Sequence, residues 1–214
     1  MKYFFILITV FLLFSCKNEL EISQNQLIKT LTDFGTQNTE NEAIINTNFG
    51  EIEIKLYSET PLHRANFVRL IKAGYFTQRN IYRIVKGLCI QGGGHNDDKL
   101  KYLIPAEFKP HLIHKKGALA MARYSENNPD KMSSATEFFI ITKGIFYEEN
   151  ELKKYPKPIK DLYLKLGGEI KFDNEYTVFG EVTKGIEIAE KIAKLEVIET
   201  ETPLKMPTFS IKLK

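Results

Sequence analysis

Tryptophan is absent from this sequence, cysteine occurs only twice, and neither sign of charge is in marked excess. Two cysteines cannot build a disulfide framework, so the class of small disulfide-stapled secreted domains is excluded. Thirty basic against 27 acidic residues leave a net charge of +3. That balance argues against a nucleic-acid-binding protein, whose affinity comes from neutralising many phosphates. No apolar run reaches the roughly 20 residues of a membrane-spanning helix, which excludes a multispan membrane protein.

What the sequence does contain is enough apolar material for one core. Its 214 residues are 43% hydrophobic and include 15 Phe and 10 Tyr. A chain of this size and composition is typical of a single globular domain that needs no cross-links to stay folded.

The N-terminus has the layout of an export signal. Lys2 precedes an apolar run over residues 3–14, which at about 12 residues is too short to span a membrane and is typical of a signal peptide. We expect residues 1–15 to be removed. Residues 13–16 (LFSC) resemble a bacterial lipobox, which predicts a lipid-modified Cys16 that tethers the mature protein to a membrane. A plain signal peptide with an incidental cysteine is the alternative. Residues 16–42 are interpreted as a polar linker containing a short amphipathic helix over residues 27–34.

Strands dominate the remaining chain, residues 43–214. Alternation of Ile52, Ile54 and Leu56 with charged residues predicts a half-buried antiparallel strand, paired in a hairpin over residues 44–57. Thr60-Pro61 and Gly74 mark the start and stop of a helix. Further strands are predicted at 81–85, 88–91, 118–122, 138–142, 177–182 and 209–213, with a second helix over 185–193. Many strands with two core helices predict an all-β fold with minor α content, built as a closed barrel. Residues 143–171 are predicted to form a surface insertion with a helix that ends at Gly167-Gly168.

One cationic residue interrupts an apolar strand. An unpaired guanidinium is costly there, so Arg83 must face a cleft or a partner group, although a structural arginine remains the alternative. The run Gly92 to Gly94 lacks the following Lys-Ser or Lys-Thr of a phosphate-binding loop, which argues against a nucleotide site. The four histidines show no metal-site spacing, so no metal and no other cofactor is predicted.

Four ordered stretches resemble the cyclophilin family of peptidyl-prolyl cis-trans isomerases. They are residues 81–93 (IYRIVKGLCIQGG), 116–123 (KGALAMAR), 133–141 (SSATEFFII) and 172–182 (FDNEYTVFGEV). The resemblance implies a closed eight-stranded antiparallel β-barrel capped by two helices. It implies rotation of X-Pro bonds in exported polypeptides, with proline-containing clients as partners. The insertion, together with residues 104–108 and 128–129, resembles lipoprotein members from Bacteroidetes. We therefore expect a protein anchored in a Gram-negative envelope, at the outer membrane and facing the periplasm. We also expect a monomer.

Residue by residue, the resemblance implies that Arg83, Gln91 and Phe139 are the catalytic arginine, the glutamine that orients the client and the base of the proline pocket. It implies substrate binding by the residues aligned with the rest of the family's groove, which are Leu88, Cys89, Met121, Ala122, Arg123, Phe138, Phe172 and Tyr176.

Several positions depart from the family pattern. Tyr82 replaces a histidine and Glu137 a glutamine, and Leu88 and Cys89 replace a larger Phe and Met. Lys171 falls near the position at which cyclosporin-sensitive members carry a Trp that contacts the drug. A reshaped pocket with weak cyclosporin binding is therefore expected. These departures keep a second hypothesis open, a non-catalytic module that binds proline peptides. The isomerase hypothesis requires that Arg83 is not locked into an internal ion pair and that the pocket is not filled by the protein's own side chains.

Overall fold

Eight of the strands close into an antiparallel barrel, as predicted. In the computed structural model, which describes residues 20–94 and 100–214, their order around the barrel is β1-β10-β3-β4-β8-β6-β9-β2. The strands are β1 (Glu42–Thr47), β2 (Gly50–Leu56), β3 (Arg79–Val85), β4 (Cys89–Gly93), β5 (Leu103–Ile104), β6 (Ala118–Met121), β7 (Ser133–Ser134), β8 (Glu137–Ile141), β9 (Val178–Lys184) and β10 (Thr208–Leu213). Closure pairs every barrel strand on both sides and leaves no free edge. The short strands β5 and β7 form a separate two-stranded sheet, which the sequence did not predict.

Four α-helices lie within the described residues, each where the sequence predicts one. They are α1 (Leu27–Gln37), α2 (Pro61–Lys72), α3 (Lys157–Leu166) and α4 (Ile186–Ala193). The side chain of Thr60 does not cap α2. Instead the Glu107 carboxylate accepts hydrogen bonds from the backbone N–H groups of Leu62 at 3.1 Å and His63 at 3.0 Å. A carboxylate at a helix N-terminus satisfies free donors and complements the helix dipole.

Residues 20–41 belong to the folded domain, so the interpretation of this segment as a polar linker is wrong. Leu27 and Leu31 of α1 are fully buried in the main core. The Arg64 guanidinium of α2 donates to the carbonyl oxygens of Gly35 at 3.0 Å and Asn38 at 2.7 Å. These bonds satisfy carbonyls that the end of a helix leaves without intrahelical partners. The predicted signal peptide and Cys16 lie outside the described residues.

The insertion forms a small core of its own against the barrel. Tyr147, Leu152, Ile159 and Tyr163 pack with Ile113 in a separate buried cluster. Its helix α3 ends at Gly167, as predicted, and Gly168 follows with φ +148°. A Cβ atom at Gly168 would lie 2.3 Å from the His114 carbonyl oxygen. Only glycine fits this approach, which places the insertion next to the barrel wall.

Candidate functional site

An open pocket lies on the outer face of β3, β4 and β8, closed on one side by the segment that precedes β9. It has a volume of about 330 Å³, and its lining comprises Arg83, Val85, Leu88, Cys89, Gln91, Ala122, Arg123, Phe139, Phe172 and Tyr176. Nine of the eleven residues predicted from the sequence therefore come together in one place. Because the pocket is open, the protein's own side chains do not fill it.

Met121 and Phe138 do not line the pocket. They lie opposite each other on β6 and β8, and both belong to the main core, where each is 1% exposed. Successive side chains of a strand point to opposite faces, so Phe138 faces the barrel interior when Phe139 faces the pocket. The prediction that Met121 and Phe138 contact substrate is therefore wrong, because both side chains point into the barrel core.

The floor of the pocket is a cluster of aromatic rings around Phe139. The ring centroid of Phe139 lies 5.9 Å from that of Phe172 and 5.4 Å from that of Tyr176, both edge-to-face. Cys89 packs in the same cluster and is 4% exposed. Burial raises the pKa of the Cys89 thiol to about 12, so this side chain acts as a small apolar group. The floor thus offers an apolar surface suited to a proline ring.

Arg83 stands at the rim of this surface with its side chain 45% exposed. Its Nη1 donates to Gln91 Oε1 at 3.1 Å and its Nε donates to Glu201 Oε2 at 2.7 Å. Nη2 lies 2.6 Å from the same Glu201 oxygen as an ion-pair contact. The ion pair with Glu201 lies at the surface, not in the interior. Two of the five guanidinium N–H donors make these hydrogen bonds and Nη2 faces Glu201, so at least two donors remain for a bound molecule.

Behind Gln91 lies a second, buried group of hydrogen bonds. Gln91 Nε2 donates to the Tyr82 hydroxyl at 2.7 Å, and this hydroxyl donates to Glu137 Oε1 at 2.8 Å. Tyr124 donates to the other oxygen of Glu137 at 2.5 Å. Burial, followed by the nearby Glu137 carboxylate, raises the pKa of Tyr82. Tyr82 and Glu137, which depart from the family pattern separately, therefore match each other as donor and acceptor and fix the Gln91 amide.

Arg123 offers its main chain to the pocket. Its guanidinium is engaged with Glu175, at 2.6 Å from both the backbone oxygen and a carboxylate oxygen, and lies over the Tyr176 ring. The backbone N–H and C=O of Ala122 are used by Glu137 and Ser134. Within the described residues, the backbone N–H and C=O of Arg123 have no hydrogen-bond partner. They are available to pair with an extended peptide.

The insertion supports the pocket floor through Asp173, which follows Phe172. Its Oδ1 accepts from the His114 backbone N–H at 3.0 Å and from His114 Nδ1 at 2.9 Å, and its Oδ2 accepts from the hydroxyls of Tyr155 and Tyr163, each at 2.7 Å. The His114 ring stacks on Phe139 with a centroid distance of 6.1 Å. Burial alone would raise the pKa of Asp173, but these hydrogen bonds outweigh it and lower the pKa below its usual value.

Within residues 20–94 and 100–214, no group of three or more His, Cys, Asp or Glu side chains is placed to hold a metal ion. None of the helices there has the length and apolar character needed to span a membrane. His63 and His111 contact Glu107 and Glu59, which are structural partners.

The sequence did not predict Val85 as a lining residue of the pocket, and it did not predict Glu201. Glu201 is 118 positions from Arg83 in the chain, and nothing in the local pattern distinguishes it from the other glutamates nearby. The role of Glu137 could have been inferred from the sequence. The two departures from the family pattern at Tyr82 and Glu137 introduce a hydroxyl donor and a carboxylate acceptor that can pair.

At the level of amino-acid sequence, one family model and two relatives match this chain. A family model described as cyclophilin type peptidyl-prolyl cis-trans isomerase/CLD matches residues 43–212. The peptidyl-prolyl cis-trans isomerase of Acinetobacter baylyi is 31% identical over 173 residues, which cover 78% of this chain and 79% of that protein. Peptidyl-prolyl cis-trans isomerase A of Dickeya dadantii is 29% identical over 164 residues, covering 74% of each chain.

Two solved structures share the fold. A cyclophilin type peptidyl-prolyl cis-trans isomerase of Cryptosporidium parvum, crystallised in the presence of the dipeptide Ala-Pro, has a TM-score of 0.61 at 22% identity and covers 81% of this chain and 98% of its own. A cyclophilin from Hirschia baltica has a TM-score of 0.56 at 16% identity and covers 81% and 74%.

Proposed function

This chain belongs to the cyclophilin-type peptidyl-prolyl cis-trans isomerase family and has that activity, and we propose that it acts on exported proteins in a Gram-negative envelope with Arg83 as its catalytic residue. The observation that carries the role of Arg83 is its guanidinium at the rim of an open, aromatic-floored pocket. Gln91 fixes this guanidinium from one side and leaves it with free donors.

The chemistry requires neither a nucleophile nor a metal. Rotation about an X-Pro bond has a barrier of about 18–20 kcal/mol and takes tens of seconds or more without a catalyst. Each 1.36 kcal/mol removed from a barrier raises the rate tenfold, so a 10³- to 10⁵-fold acceleration needs about 4 to 7 kcal/mol. Binding the twisted state more tightly than either planar isomer supplies that difference.

Arg83 is suited to recognise the twisted state. As the bond rotates, amide resonance is lost and the prolyl nitrogen becomes pyramidal and basic. A fixed donor at this nitrogen stabilises the twisted state by about 3 to 4 kcal/mol in a water-poor site. Arginine keeps its charge at any working pH. In this proposal the Phe139 ring holds the proline ring, and the main chain of Arg123 holds the client backbone.

A protease-free refolding assay tests this function. The substrate is a small protein whose refolding is limited by proline isomerisation, and the measurement is the rate constant of the slow phase against enzyme concentration. We expect a linear increase. A non-catalytic binding module would leave the slow phase unchanged or retard it at equimolar concentrations.

The envelope location is supported by the first sixteen residues of the sequence. The proposal assigns residues 1–15 to a cleaved signal peptide and Cys16 to a lipid attachment site, so that a monomeric domain hangs from the outer membrane into the periplasm. Diacylglycerol and an additional acyl chain on Cys16 exceed the two anchoring signals that stable membrane association requires.

Replacing Cys16 by serine is expected to abolish this anchoring. The variant should be recovered either in the soluble envelope fraction or as an unprocessed precursor, because serine offers no thiol for lipid attachment. Immunoblots of fractionated cells measure the distribution. Cys89→Ser is the matched control, since that thiol is buried in the barrel wall, and it should remain with the membrane. Membrane association of Cys16→Ser equal to that of the wild type contradicts the lipoprotein proposal.

A further inference from the structure

We propose that Glu201 is a positioning residue for catalysis, which holds the guanidinium of Arg83 in its working orientation. This inference rests on the proposed role of Arg83. The carboxylate oxygen Oε2 of Glu201 binds two nitrogens of one edge of the guanidinium, Nε at 2.7 Å and Nη2 at 2.6 Å. Gln91 binds the remaining nitrogen, Nη1. All three guanidinium nitrogens are thereby engaged, and the plane of the group is fixed between two acceptors.

The loop between α4 and β10 is built to present this carboxylate. The Ile84 N–H, next to Arg83 on β3, donates to the Glu201 carbonyl at 2.8 Å. Glu201 N–H donates to Ile198 O at 2.9 Å, and Ile198 N–H donates to Thr202 O at 3.0 Å. The loop is thus attached by its backbone to the strand that carries the arginine.

The backbone of Glu201 adopts a conformation that glutamate disfavours. Its φ is +63°, in the left-handed region, which costs an L-residue other than glycine about 1 kcal/mol or more. Glycine would satisfy the loop's shape at lower cost. The side chain is what glutamate adds here, and its contacts within the described residues are with the guanidinium. Strain of this kind persists where the surrounding structure fixes it, and it clusters at functional sites.

The ion pair is too exposed to serve mainly as a stabilising contact. The side chains of Arg83 and Glu201 are 45% and 38% exposed, and pairs of this kind contribute about 0 to 1 kcal/mol to stability. The contribution of this ion pair to catalysis can be larger. A guanidinium free to sample many rotamers is not preorganised toward the prolyl nitrogen, and fixing it removes that cost from the transition state. The carboxylate also reduces the positive potential at the guanidinium, which would lower kcat, whereas the orienting effect raises it. The variants below separate the two effects.

The test compares Glu201→Gly, Glu201→Gln and Glu199→Gln with the wild type. Glu201→Gly removes the carboxylate and relieves the strained φ, so the loop should keep its shape and the domain its thermal stability. We expect kcat to fall about tenfold, equivalent to 1.4 kcal/mol of orientation lost, with KM changed less than twofold because the pocket floor is intact. Glu201→Gln keeps one neutral acceptor oxygen, so its kcat should lie between those of the wild type and Glu201→Gly. Glu199→Gln removes the same charge from the same loop and should behave as the wild type.

A double variant decides between positioning and an independent effect. If Glu201 acts through Arg83, Arg83→Ala combined with Glu201→Gly is no slower than Arg83→Ala alone. An unchanged or raised kcat in Glu201→Gly, or additive losses in the double variant, overturns the inference while the role of Arg83 stands. Full activity of Arg83→Ala overturns the role proposed for Arg83 and this inference with it.

Discussion

Arg83→Ala is expected to lower kcat/KM for proline isomerisation by about 10²- to 10³-fold, the effect of removing one preorganised donor from a developing charge. The fold should not change, because the side chain is 45% exposed and its ion pair lies at the surface. The free energy of unfolding should stay within about 0.5 kcal/mol of the wild-type value. The slow phase of the refolding assay measures the first quantity and denaturant unfolding the second.

Arg123→Ala is the matched comparison for this prediction. It removes a second guanidinium from the lining of the same pocket, but that group is engaged with Glu175, and the main chain of residue 123 remains. Arg123→Ala should therefore lower kcat/KM much less than Arg83→Ala does. Arg83→Lys keeps the charge without the planar set of donors and should lie closer to alanine than to the wild type. An Arg83→Ala variant with more than half of the wild-type kcat/KM contradicts the role of Arg83.

The barrel could be predicted from the sequence because its determinants are local. The alternation of Ile52, Ile54 and Leu56 and the signals at Pro61 and Gly74 depend on neighbours a few positions away, and β2 and α2 formed where they indicated. The two-residue period also held the information that Phe138 and Phe139 face opposite ways. Strand alternation alone therefore places Phe138 in the core once Phe139 is placed in the pocket.

The features that escaped prediction depend on partners distant in the chain. Glu107 caps α2 from 45 positions away, and Glu201 reaches Arg83 from the other end of the domain. A glutamate has the same local pattern whether it meets solvent or a guanidinium. The docking of α1 is intermediate, because Leu27 and Leu31 form a helical stripe that a solvated linker would not need. That stripe predicts the amphipathic helix, but the polar residues around it favour a solvated linker over docking on the barrel.

Asp173→Asn is expected to destabilise the domain by about 3 kcal/mol at pH 7, the effect of leaving a buried polar network without its charged member. The carboxylate accepts four hydrogen bonds and is 10% exposed. An asparagine offers one acceptor oxygen and turns an N–H₂ group toward two of those donors, either His114 or the hydroxyls of Tyr155 and Tyr163. For a domain of this size, a loss of that order corresponds to a melting temperature lower by roughly 6 to 12 °C.

The pH dependence of stability identifies the carboxylate as the cause. The pKa of Asp173 is lowered on folding, so its contribution is complete above the unfolded pKa of about 4 and is lost as the pH falls through the lower folded value. The wild type should therefore lose stability from about pH 5 downward, and Asp173→Asn should show a shallower acid slope. Asp161→Asn removes an exposed partner of Lys157 on α3 and should leave both quantities unchanged. Parallel acid slopes in the wild type and Asp173→Asn would show that the charge of Asp173 does not hold the insertion against the pocket floor.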